Sequence, residues 1–256
     1  MMSDLRAANS VPSARLRPKV IARRFIPAEK LMNQAVADKM QFLRSLDHGN
    51  LVSLEKIFLN RESNFIEVEL EFMPVSVAEL CVRIFPYHDE VSLAAILGQT
   101  IEGLSFLETA GFCHTMLSES QVLADFAGTV KISGLDWCEK GKALPQQLLP
   151  LTQHLMYPWM YSERVRVDST KWAKDSHAFE FWRALSRPTT SLEALSKSGL
   201  LQIAWNKSDL RALMLIAFDH VRTEKMRLAN GVGCDDGLHQ PTQNLDSATE
   251  DTSPCA

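Results

Sequence analysis

Between residues 114 and 136 the chain gathers most of the side chains able to do chemistry: His114, Ser118, Glu119, Gln121, Asp125 and Asp136. Two carboxylates on one loop, Glu119 and Asp125, suit general acid and base work when their surroundings push their pKa values apart. Their spacing fixes no separation, and solvated loop charge is the plainer reading. Asp136 could serve a hard cation only with further oxygen ligands close by, and alone it reads as a turn residue. His114 follows a long apolar run and reads as a buried structural histidine. The five cysteines, Cys81, Cys113, Cys138, Cys234 and Cys255, form no CxxC pair and no zinc-like spacing with histidine, which points to a reducing compartment. Thr189, Thr190 and Ser191, followed by Glu193, have the pattern of a helix N-cap rather than of a nucleophile.

The elements that must position this loop follow from periodicity. Residues 18–26, PKVIARRFI, predict a strand, and residues 28–46 place Leu31, Met32, Ala35, Val36, Met40, Leu43 and Leu46 near helical spacing. Residues 51–59 and 65–73 predict a hairpin. In its second strand Ile66, Val68, Leu70 and Phe72 would share an apolar face, leaving Glu67, Glu69 and Glu71 to solvent. From Asp89 the pattern predicts a mostly buried helix closed by Gly111, then a small hairpin from Val122–Ala124 and Thr129–Ile132. Residues 144–228 are mainly helical in pattern. The order predicts an α+β chain with a small sheet lobe and a larger helical lobe. Residues 1–17, basic, and 227–256, acidic, read as disordered arms.

Several strings in this order resemble the eukaryotic protein kinase fold, and more narrowly the degenerate kinase-like proteins of filamentous fungi. They are LDHGNLVSLEKIF (46–58), VELEFM (68–73), VSLAAILGQTIEGLSFLETAGFCH (91–114), LADFAGTVKIS (123–133) and the stretch 168–217. The resemblance covers about residues 18–226. It implies a two-lobed protein kinase-like fold, with a truncated small β-sheet lobe over 18–73 and a larger mainly α-helical lobe over 74–226.

Phosphoryl transfer in such a fold takes a glycine-rich lid, a strand lysine held by a helix glutamate, a catalytic-loop Asp and Asn, and a metal-binding Asp. The resemblance aligns each of these with a departure. Residues 1–17 contain no glycine. The lysine position is Arg23, a planar fork rather than a compact ammonium. The glutamate position is Lys39, beside Asp38, so Arg23 and Lys39 are expected to repel unless a one-residue offset turns Asp38 inward. The loop His114, Thr115, Met116, Leu117, Ser118 carries a thioether in place of the base, which cannot accept a proton, and a serine in place of the lysine. Gln121 takes the Asn position, Gly134 the metal Asp position, and Asp136 comes two residues late. Leu70 falls at the gatekeeper position, with Glu71, Phe72 and Met73 in the hinge.

Composition sets the outer limits. With 27 Lys plus Arg against 31 Asp plus Glu, the net charge of −4 offers no field to gather nucleic acid. No run of apolar residues reaches membrane-spanning length. The expectation is a catalytically inactive pseudokinase with no cofactor, acting through a protein partner that the sequence does not identify, in cytosol or nucleus. The alternative is an ATP-dependent serine/threonine kinase with displaced groups, using Asp136 or Asp125 for magnesium and Glu119 as base. A third reading is a partial gene product lacking upstream glycine-rich strands.

Overall fold

Alternation in the first third of the chain builds a three-stranded antiparallel sheet. Its strands are β1 (Ile21–Pro27), β2 (Leu54–Asn60) and β3 (Phe65–Glu71), in the order β1-β3-β2. The computed structural model describes residues 21–27, 34–60, 65–83, 89–157 and 172–229. The expected arm 1–17, the start of the predicted first helix at 28–33, Pro158 and residues 230–256 of the expected tail lie outside the described residues, whereas residues 227–229 of that tail are helical, not disordered. Helix α1 (Gln34–Ser45) follows β1, and its Met40 and Leu43 are buried in the same core as Leu54 and Val68.

The expected division of β3 into an apolar and a solvent face fails at two positions. Glu69 is only 6% exposed, and the register places basic residues opposite it on both flanking strands, Arg23 on β1 and Lys56 on β2. Lys56 Nζ lies 3.3 Å from its carboxylate, which offsets the cost of taking the charge from water. Phe72 is exposed, because β3 ends at Glu71 and the pleat no longer dictates the next side chain's direction.

The chain continues through β4 (Val75–Ser76), α2 (Val77–Arg83) and α3 (Glu90–Thr109). Asp89 caps α3 by accepting from Ser92 N at 2.7 Å. Leu93, Ile96, Leu97, Ile101, Leu104 and Leu107 of α3 are all buried, each contributing about 1.5–3 kcal/mol relative to exposure. Then come β5 (Phe112–His114), β6 (Val122–Ala124), β7 (Val130–Ile132) and β8 (Cys138–Lys140). β6 and β7 form the predicted hairpin, β4 joins the free side of β6, and β5 pairs with β8. The helices α4 (Leu148–Met156), α5 (His177–Leu185), α6 (Leu192–Ser196) and α7 (Ser208–Ala229) complete an α+β architecture. Ser191 caps α6 through Ala194 N at 3.1 Å.

A buried amide pair fastens the hairpin to α3. Asn50 Nδ2 donates to Val130 O (2.8 Å) and to Gln99 Oε1 (3.4 Å), while that same oxygen accepts from Val130 N at 3.0 Å. Gln99 Nε2 donates to Ala95 O and Gly128 O, both at 3.1 Å. The network is therefore satisfied where burial makes an unpaired amide costly. His48 stacks on Phe106 with ring centres 4.6 Å apart, which gives the LDHGN string its packing role.

By contact density Met1–Val221 form one unit and Arg222–Ala256 a second, of which the described part is the end of α7. Among the described residues no helix is long and apolar enough to cross a membrane.

Candidate functional site

The loop that holds Met116 runs from the end of β5 at His114 to the start of β6 at Val122. His114 is fully buried, and its Nε2 donates to Ser133 O at 3.0 Å. Thr115 N (3.1 Å) and Thr115 Oγ1 (2.7 Å) both donate to Trp137 O. At the other end Ser133 N donates to Gln121 O at 2.8 Å, and the Ser133 hydroxyl lies 3.0 Å from that oxygen and 3.2 Å from Gln121 Oε1. The single Ser133 hydroxyl proton is shared between the backbone and amide oxygens of Gln121. Ser118 Oγ meets Ser120 Oγ at 2.9 Å, and Met116 projects with 57% of its surface exposed.

After β7 the backbone turns at Gly134, which has φ 72° and ψ 34°, left-handed geometry that suits a residue without Cβ. Leu135–Trp137 form one 3₁₀ turn, so Asp136 sits inside it. Lys39 reaches this turn from α1. Its Nζ donates to the carbonyl oxygens of Asp136 (3.2 Å) and Cys138 (2.8 Å). The ammonium is thus held by backbone carbonyls, and the expected opposition of Arg23 and Lys39 falls outside the described set, which lacks the Arg23 side chain. Asp38, beside it, is exposed. Burial pushes the Cys138 thiol up to about 12, with Lys39 acting in the opposite direction.

The remaining candidates have local duties. Asp125 Oδ1 accepts from Ala127 N and Thr129 N, each at 2.8 Å, closing the β6–β7 turn. The Glu119 carboxylate lies 3.8 Å from His154 Nδ1, and its backbone oxygen accepts from Ala78 N. At the end of β3, Glu71 receives Lys131 Nζ on both oxygens, at 2.8 and 2.7 Å, and Ser53 N at 3.3 Å. Lys131, Ser133 and Trp137 carry this geometry but have no sequence signal, since their partners are mostly backbone atoms or residues far along the chain. Among the described residues no group of three or more His, Cys, Asp or Glu could hold a metal ion.

Two clefts are lined by residues of these segments. One, bounded by Met40, Leu54, Val68, Leu70, Gly134 and Leu135 among others, leaves about 10 Å³ for a water-sized sphere, the room of one water molecule. The other opens beside Met116 and Trp137, with about 330 Å³.

Residues 19–212 match the protein tyrosine and serine/threonine kinase family. The chain is 29% identical over 99 residues to mitogen-activated protein kinase kinase kinase mkh1 of Cytospora mali, which is 39% of this chain and 5% of that protein. It is 24% identical over 155 residues to serine/threonine-protein kinase ICK of Rattus norvegicus, 60% of this chain and 23% of the relative. It is 23% identical over 157 residues to cyclin-dependent kinase C-2 C of Arabidopsis thaliana, 60% of this chain and 24% of the relative. The chain therefore spans under a quarter of the length of these relatives.

Proposed function

The chain belongs to the protein tyrosine and serine/threonine kinase family, and we propose that it is a member that performs no phosphoryl transfer and acts by binding a partner protein. The observation that carries this reading is the pair Met116 and Gly134. Met116 is exposed and Gly134 sits in left-handed backbone, and the sequence resemblance aligns the first with the family's proton-accepting carboxylate and the second with its metal carboxylate. Base and metal act on separate parts of the barrier, so losing both leaves little for positioning alone to supply. The proposal extends to magnesium and nucleotide, which these positions are not expected to hold. In support, Gln121 Oε1 lies 3.2 Å from the Ser133 hydroxyl, and among the described residues the cleft between Leu70 and Gly134 has room for about one water.

The relatives' names favour a second reading, an ATP-dependent serine/threonine kinase that uses Asp136 or Asp125 for metal and Glu119 as base. The turn-closing bonds of Asp125 Oδ1 and the His154 neighbour of Glu119 weigh against it. The test is transfer from labelled ATP by the purified full chain, with magnesium or manganese, to a mixed serine, threonine and tyrosine peptide pool. The expected result is incorporation at the level of the protein-free blank. Transfer that disappears in Asp136→Ala or Asp125→Ala would establish the second reading instead.

A further inference from the structure

We propose that the outer face of α7 is a self-association surface, on which a second copy of this chain docks with its own α7 running antiparallel. The inference goes beyond the reading above and does not depend on it. Leu210, Met214 and Ala217 of α7 are buried in the core, the inward stripe of a helix with 3.6 residues per turn. The opposite face should then be polar. It instead carries Leu215 and Ile216, which are 54% and 56% exposed, with exposed Ala212 one turn before them. Phe218, three residues after Leu215, meets the exposed Phe126 edge-on with ring centres 4.9 Å apart, which widens the apolar patch toward the β6–β7 turn. The stretch that matches the kinase family ends at residue 212, before both exposed aliphatic side chains.

Charge selects both the occupant and its direction. Asp219 follows Leu215 and Ile216 on the exposed face, and exposed Arg211 stands beside Ala212 at the other end. A second copy packed parallel would set Asp219 against Asp219. Packed antiparallel, about a two-fold axis level with Leu215 and Ile216, each Asp219 comes beside the other copy's Ala212 and Arg211, and the two aliphatic pairs cover each other. The opposite-charge contact then forms twice. The chain's own residues 230–256 are a poorer cover for this stripe. Their large aliphatic residues are Val232, Leu238 and Leu245 alone, and Asp235, Asp236, Asp246, Glu250 and Asp251 occur there with no lysine or arginine, a composition that favours water over an apolar surface. A contact made mainly by one helix face belongs to the small interfaces, below about 1,200 Å², so the association is expected to be weak.

The test is sedimentation equilibrium of the full chain from about 10 μM to about 1 mM, the range in which a small interface of this kind dissociates. The weight-average mass is expected to climb from that of one chain toward that of two. Leu215→Asp and Ile216→Asp, at exposed positions that leave the core intact, should each hold it at one chain. Arg211→Glu and Asp219→Arg should each weaken self-association about tenfold, because symmetry repeats the affected contact. An equimolar mixture of these two variants should associate as strongly as the parent, since opposite charges meet again at both ends. The inference is overturned by a parent that stays monomeric at 1 mM, as it would with its own tail over the stripe. It is equally overturned by a dimer that Leu215→Asp and Ile216→Asp leave unchanged, or by a mixture no stronger than either charge variant alone. None of these results bears on phosphoryl transfer, which the labelled-ATP assay reads separately.

Discussion

Replacing Lys39 by methionine keeps the aliphatic stem and removes the ammonium that joins α1 to the turn after β7. Two charge-assisted hydrogen bonds, at 3.2 and 2.8 Å, are lost. Each is worth about 1.5–3 kcal/mol, and against their sum stands about 2 kcal/mol for ordering a lysine side chain. Lys39 is half-buried, so water reaches the freed carbonyls in part, and the net loss is about 2 kcal/mol. Denaturant unfolding should report that loss. Hydrogen exchange should localise it, with protection of Thr115 N and Trp137 N, which donate to Trp137 O and Gly134 O, falling about 30-fold. Lys39→Glu sets a carboxylate against two carbonyl oxygens, so it should cost more than methionine. If the glutamate variant proved more stable than the parent, a pair with Arg23 would govern α1. The strut reasoning would then be refuted, as it would be if methionine changed stability by less than about 0.5 kcal/mol.

Asn50→Ala removes the donor to Val130 O and one partner of Gln99 Oε1, both buried, and should cost about 2–3 kcal/mol by denaturant unfolding. Gly128→Ala should cost at least about 2 kcal/mol, because φ is +83° and an added Cβ would lie 1.9 Å from Lys207 O. Cys138, buried and with its thiol pushed up to about 12, should resist iodoacetamide at pH 8 in the native protein while half-buried Cys113 reacts, as peptide mapping would reveal. Because that folded value lies above the ordinary thiol range, its contribution to stability is complete below about pH 9 and is lost as pH rises toward 12. A Cys138→Ala variant should therefore lose less stability than the parent between pH 8 and 10.

Much of the architecture was legible where one physical signal dominated. The helix α3 announced itself through an apolar run from Asp89 that leaves almost no polar face. The β2–β3 and β6–β7 pairings followed from alternation and from the turn between them. The β5–β8 pairing did not, because three-residue strands carry no periodicity and Cys113 meets Glu139 across a long separation. Glu69 was misread because solvent exposure was inferred from one strand, whereas register brings Lys56 of the neighbouring strand within 3.3 Å of its carboxylate. At the site, residue types were legible but their partners were not. Lys39 was set against Arg23 by sequence position, and its actual acceptors are backbone oxygens, which every residue has and no sequence pattern marks.

The central claim, that this kinase-family chain has no working nucleotide site, is tested most directly by the thermal unfolding midpoint of the full chain with and without millimolar ATP and magnesium. A nucleotide present at about a hundred times its Kd would add about 2.7 kcal/mol, or about 5–10 °C for a domain of this size. The account predicts that the midpoint does not move. A magnesium-dependent rise of several degrees would contradict it.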